Sequence, residues 1–186
     1  MKIAFFSYLR SLCSGEKSSI ALRAGSIVMA PELRISYLLQ DSAFLKGTLP
    51  EYIRSQGIEK SLFFSILREL DLARDAFDGR LEDFSEGQKK KVLLATSLLA
   101  PANLFLWDEP MNSLDVFTRM QVEEMILREN PAMLLAEHDV RFRQDVKAKE
   151  VFFADEKDTA QERTVSPEAI AEEKTQAMAL PAASSA

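Results

Sequence analysis

The run Leu104-Phe105-Leu106-Trp107 contains no polar position, and Asp108-Glu109-Pro110 follows it directly. A strand that is apolar at every position must be covered on both faces. An antiparallel sheet with one wet face does not provide that, whereas a parallel sheet flanked by helices does. Ile3–Leu9, Leu33–Leu39 and Ala132–Ala136 read as further buried strands, and Val151–Ala154 as a last one. Helical signals lie between them: Lys17–Ala24 stopped by Gly25, Thr48–Ser55 with Pro50 in its first turn, Glu59–Arg74, Ser85–Ala100 ended by Pro101, Val116–Arg128, and Asp139–Val146. The alternation predicts an α/β fold with a mostly parallel sheet flanked by helices.

Composition sets the outer limits. The net charge of −6 and pI of about 5.0 argue against gripping nucleic acid by bulk charge. Cys13 is the single cysteine, so no internal disulfide can form. Lys2 and the apolar run after it resemble the start of a signal peptide, but Arg10 interrupts the run and no small-x-small cleavage site follows. The longest apolar stretch, Val92–Trp107, is broken by Thr96, Ser97, Pro101 and Asn103, too often to span a bilayer. The expectation is a cytoplasmic chain without membrane insertion. From Asp155 the sequence turns polar, acidic and then Ala/Ser-rich, so 155–186 reads as a disordered tail.

Polar residues gather where strands end and helices begin. Asp108 and Glu109 close an apolar strand, and ligands of open α/β sheets bind beyond the carboxyl ends of strands. One carboxylate of such a pair can hold Mg²⁺ while the other orients a nucleophile. Ser85 with Gln88 three residues later forms a capping box, and a helix start with a glycine, Gly87, suits an anion. His138, the only histidine, follows the apolar strand at Ala132–Ala136, and Gln40 follows Leu33–Leu39. Each has an ordinary structural reading when taken alone: two solvated charges, a well-capped helix, a structural histidine. The triplet Lys89-Lys90-Lys91 reads as a solvated face.

Their order changes the reading. Lys17-Ser18, Gln40, Ser85-Glu86-Gly87-Gln88, Asp108-Glu109-Pro110, Asp115 and His138 follow one another as in the ATP-binding cassette (ABC) ATPases. The stretch FSEGQKKKVLLATSLLAPANLFLWDEPMNSLD resembles a signature helix running into a Walker B strand and a D-loop. HDVRF resembles the switch histidine. The similarity spans about 14–153. Asn112 in DEPMNSLD resembles the F subfamily, and several phrases are similar to the second cassette of antibiotic-resistance proteins that protect ribosomes; Ser113 departs from the histidine or tyrosine usual there.

The resemblance implies a P-loop-type fold over 1–154, with a helical subdomain at about 42–100. It implies ATP and Mg²⁺ as cofactors, and a second cassette and the ribosome as partners. Ser14, Gly15, Lys17, Ser18, Ser19 and Gln40 would bind nucleotide, with Lys17 on the β- and γ-phosphates. Ser18, Gln40 and Asp108 would serve Mg²⁺. Glu109 would polarise the attacking water and His138 would touch the γ-phosphate. Ser85, Gly87 and Gln88 would bind a nucleotide held by the opposite cassette, and Asp115 would lie at the interface between cassettes. Two other readings stay open: a non-hydrolysing module that donates its signature to a partner, and a transporter cassette.

LCSGEKSS departs from the phosphate-loop pattern. Ser11, Ser14 and Glu16 stand where the pattern G-x-x-G-x-G-K-S has its glycines. A carboxylate ~4 Å from a phosphate opposes binding by about 4 kcal/mol at an effective dielectric near 20, before screening. That corresponds to roughly three orders of magnitude in affinity. The helix expected after Lys17 is short, and the family's antiparallel β-subdomain has no counterpart before it. The expectation is a truncated cassette with an intact signature half and a damaged nucleotide half.

Overall fold

In the computed structural model, residues 5, 6, 8, 9, 11, 30–38, 40–149 and 151 are described, all within the compact unit Met1–Val151. The expected helix at Lys17–Ala24, the loop residues Ser14, Gly15, Lys17, Ser18 and Ser19, most of the last strand and the tail lie outside them.

Among the described residues, three strands form one sheet in the order β1-β2-β3: β1 (Ile35–Leu38), β2 (Leu104–Asp108) and β3 (Met133–Ala136). Both pairings are parallel. Ile35 faces Leu104 and Leu38 faces Trp107; Phe105 faces Met133 and Asp108 faces Ala136. The apolar run thus occupies the middle strand of the three. Alternate side chains serve two cores, as the pleat requires. Trp107 and Leu38 join a large cluster with Val92, Leu94, Phe63 and Phe142 on one face. Leu106 and Ala136 pack with Phe6 and Leu9 on the other.

Phe6 and Leu9 correct one expectation. Phe5, Phe6, Tyr8 and Leu9 are helical, not a strand. Phe6 and Leu9, three residues apart, are both buried, which is how a helix presents one side to a sheet. An apolar run of this length suits either structure, and its burial partners decide.

Helix α1 (Leu49–Gln56) begins at a complete capping box. The Thr48 hydroxyl accepts from Glu51 N, and the Glu51 carboxylate accepts from Thr48 N at 2.8 Å. It ends at Gly57, whose φ of 65° is the left-handed stop that glycine adopts without strain. Helix α2 (Lys60–Glu69) ends five residues before the expected Arg74. The cause is tertiary. Thr118 Oγ1 donates to Leu70 O at 3.3 Å and Lys91 Nζ donates to Asp71 O at 2.8 Å, so side chains from elsewhere satisfy carbonyls at the break. Asp71 adopts φ 55°, and the chain resumes as a 3-10 turn at Arg74–Asp78.

Helix α3 (Glu86–Leu98) is buried nearly all round, including Lys90 and Lys91. The solvated-lysine reading fails for these two. Polar contacts fix the helix to the sheet: Trp107 Nε1 donates to Ser97 Oγ at 2.9 Å, and Ser36 Oγ lies 2.7 Å from Ser97 Oγ. Helices α4 (Val116–Glu129) and α5 (Val140–Asp145) complete the described elements. Among the described residues, no helix is long and apolar enough to cross a membrane.

Leu106 has no exposed surface and sits between β1 and β3. Leu106→Ala is expected to cost about 2–5 kcal/mol, because a site enclosed by backbone on both sides collapses poorly. Urea unfolding followed by Trp107 fluorescence measures it.

Candidate functional site

The carboxyl ends of the three strands bring the site together. β1 leads to Gln40, β2 ends at Asp108 and passes into Glu109, and β3 leads through Glu137 to His138. Asp108 is buried. Glu109 adopts φ 47°, a left-handed conformation that costs a non-glycine residue roughly 1–2 kcal/mol. Hydrogen bonds hold it there. Glu109 N donates to Ala136 O at 2.8 Å, and Glu109 O accepts from Asn112 N at 3.3 Å and from Lys90 Nζ at 3.1 Å. The turn aims the side chain off the strand. Its Oε1 lies 3.7 Å from His138 Nε2, and its Oε2 accepts from Asn112 Nδ2 at 2.6 Å.

Gln40, Ser42, Glu86, Lys90, Glu109, Asn112 and Ser113 line an open cleft of about 210 Å³. Residues from β1's end, the start of α3 and the loop after β2 therefore share one cleft. Burial draws the Lys90 ammonium below its ordinary pKa, and the carboxylates of Asp108, Glu137 and Glu109 oppose that.

The capping box at Ser85 is present as expected. Ser85 N donates to Gln88 Oε1 at 2.9 Å, and Gln88 N donates to Ser85 Oγ at 3.2 Å. Gly87 has a second role: a Cβ there would meet Ser113 O at 2.7 Å. Only glycine lets the start of α3 lie this close to the loop that follows Glu109. Asp115 caps α4, accepting from Thr118 N at 2.8 Å and from Thr118 Oγ1 at 2.7 Å, and Lys91 Nζ approaches it at 3.3 Å. These contacts hold its carboxyl at about 2, the hydrogen bond from Thr118 N contributing most.

Glu109, His138, Gln40 and Asp108 thus gather at one sheet end, with Gly87 packed on the loop that leads to Asp115. Sequence reasoning missed Lys90, Glu137 and the contact between Asn112 and Glu109. Lys90 and Lys91 carried a signal, since they stand immediately before the apolar run Val92-Leu93-Leu94-Ala95.

A parallel sheet ending on an acid pair and a histidine turn, with a capped glycine helix beside it, is the arrangement that the resemblance to an ATP-binding cassette domain implies. A family profile described as "ABC transporter" matches residues 6–112, more than half of the chain, and the chain belongs to that family. The zinc import ATP-binding protein ZnuC of Buchnera aphidicola subsp. Schizaphis graminum is 28% identical over 126 residues, covering 63% of this chain and 52% of ZnuC. The ATP-binding protein Uup of the same organism is 29% identical over 145 residues, covering 73% of this chain and 24% of Uup. Among solved structures, the complex of archaeal ribosomal stalk protein aP1 with archaeal ribosome recycling factor aABCE1 matches with a TM-score of 0.54 and 26% identity, covering 75% of this chain and 27% of that one. The chain spans about half the length of the ZnuC relatives it matches.

Asp115 yields a pH test. Its folded carboxyl titrates below the ordinary value of 3.8, so its charge stabilises the fold above that value and the contribution disappears as pH falls toward 2. Asn is also a good N-cap, so Asp115→Asn isolates the charge. The variant is expected to be less stable than the parent near pH ~6, with the gap closing between about pH 4 and about pH 2. Denaturant unfolding across that range measures it.

Proposed function

We propose that this chain binds Mg-ATP as part of a two-cassette ATPase of the F-subfamily type, and that hydrolysis there is coupled to action on the ribosome. The approach of His138 to Glu109 at the end of the central strand carries the reading. In the proposed mechanism, Glu109 polarises the attacking water and His138 donates to the γ-phosphate. Asn112, the residue that resembles the F subfamily, fixes the Glu109 carboxylate from its other oxygen. Lys17 would hold the β- and γ-phosphates, together with Ser14, Gly15 and Ser19. Ser85, Gly87 and Gln88 would serve the nucleotide of the opposite cassette, with Asp115 at the interface.

The donors suit Mg²⁺. Asp108, Gln40 and Ser18 offer one carboxylate, one amide oxygen and one hydroxyl, a hard-oxygen set that leaves room for water and phosphate. Bound there, Mg²⁺ would neutralise phosphate charge.

The match to a structure that contains an archaeal ribosome recycling factor supports the ribosomal reading. The ZnuC likeness supports a second reading, the ATPase of an importer. The non-hydrolysing module rests on Glu16.

Calorimetry with Mg-ATP tests the nucleotide site. Binding is expected to be weak in the parent, stronger in Glu16→Gly and lost in Lys17→Ala. Micromolar binding by the parent removes the damaged-loop reading. In Glu16→Gly, adding Glu109→Gln is expected to keep binding and slow turnover ~10²–10⁴-fold, the scale of positioned acid–base catalysis. That double variant, loaded with ATP, is expected to pellet with ribosomes; a ribosome pellet free of it transfers the assignment to the importer reading.

A further inference from the structure

Glu137 has no task in the mechanism above, yet its carboxylate is buried and fully engaged at the site. One oxygen, Oε1, accepts from His138 N at 2.7 Å and Asp139 N at 3.1 Å. The other, Oε2, accepts from Met111 N at 3.3 Å. His138 and Asp139 form the turn after β3, whereas Met111 lies in the loop after β2, two residues beyond Glu109. A single carboxylate therefore joins the turn that carries the histidine to the loop that carries the acid. Carboxylates accept strongly from backbone N–H groups, and a buried one is an expensive group to hold unless those bonds are made. The surrounding charges are mixed. Lys90, from α3, supplies a cation close enough to interact with Glu137, and Asp108 and Glu109 supply anions on that same lysine. A second, more exposed tie runs in parallel: Arg119 Nε donates to Leu114 O at 3.1 Å and Arg119 Nη1 lies 3.2 Å from Asp139 Oδ2.

We propose that Glu137 is a positioning residue that clips the histidine turn to the loop after β2, and so sets the 3.7 Å approach of His138 to Glu109. The clip makes the two groups move together, so that a change at the loop after β2 reaches the histidine without passing through substrate. Its catalytic meaning rests on the reading of Glu109 and His138 as the hydrolytic pair.

Glu137→Gln separates the two halves of the clip. The amide oxygen still accepts from His138 and Asp139, but the NH₂ group cannot accept from Met111 N. His138 is the chain's only histidine, so its ring signals in the full-length labelled protein are unambiguous. In the parent, Glu109→Gln is expected to move the His138 ring ¹H and ¹³C shifts; in the Glu137→Gln background that response is expected to vanish. An equal response in both backgrounds, with Glu137→Gln folded, overturns the proposal, because a purely structural Glu137 would lower the melting temperature and leave the response intact. Should Glu137→Gln fail to fold, Glu137→Asp keeps the charge but is one methylene too short to reach both turns, and the same loss is expected. The parent gives a check free of variants: Met111, His138 and Asp139 amides are expected to show one common protection factor in hydrogen exchange, and separate protection factors overturn the clip. In the Glu16→Gly background with Mg-ATP, adding Glu137→Gln is expected to lower kcat and leave KM unchanged; unchanged kcat overturns the proposal. A Glu16→Gly protein without turnover counts against the hydrolytic reading, and the magnetic resonance arms then decide the clip alone.

Discussion

The middle strand β2 governs the rest of the described structure. It has a parallel partner on each edge and a hydrophobic core on each face. No polar side chain fits within such a strand unless it is paired, so polarity is displaced to the carboxyl end. Parallel pairing then brings the carboxyl ends of β1 and β3 to the same side. One strand's lack of polar positions thereby collects Gln40, Asp108, Glu109 and His138 at one end of the sheet.

Helix α3 turns that gathering into a defined geometry. It lies against the sheet through Ser97, Ser36 and Trp107, and its lysines reach backbone carbonyls rather than solvent. Those carbonyls belong to Glu109 and Asp71, two non-glycine residues with positive φ. A left-handed turn points a carbonyl away from ordinary helix or strand partners, and an unpaired buried carbonyl costs about 1–3 kcal/mol. An ammonium on a long flexible stem can meet that need, and the nearby carboxylates offset its own desolvation. Lys90 and Lys91 thus hold unusual backbone in place. That explains how two charged residues occupy the inner side of a helix in an acidic protein.

Much of this was legible in the sequence, and what was not has a common cause. Strand content, parallel pairing and the helix starts at Thr48 and Ser85 are written in local pattern or in short spacings. Asp108, Glu109, Gln40 and His138 could be found because each closes an apolar run. The errors arose where distant residues decide. Ile3–Leu9 suited strand or helix until Leu106 and Ala136 supplied its partners. Helix α2 stops early where Thr118 and Lys91, both far along the chain, take the carbonyls of Leu70 and Asp71 just past its end. Lys89-Lys90-Lys91 looked uniform, yet the helix turns Lys90 and Lys91 inward. Glu137 was passed over because a glutamate beside a histidine and an aspartate reads as one more solvated charge.

The hydrogen bonds that shape the acid–histidine end run among residues of the strands, their end loops and α3–α4. Lys90, Asn112 and Glu137 reach Glu109, Met111 and His138 directly, and Gly87 admits Ser113 O at a distance that any other side chain would block. This end of the site is therefore organised by contacts that do not depend on phosphate. Glu16 bears on a different quantity. In the proposed reading, a negative charge in the phosphate loop would weaken occupancy. Under the proposed reading, restoring affinity and restoring chemistry would be separate operations, and occupancy would be the one that the sequence around Lys17 limits.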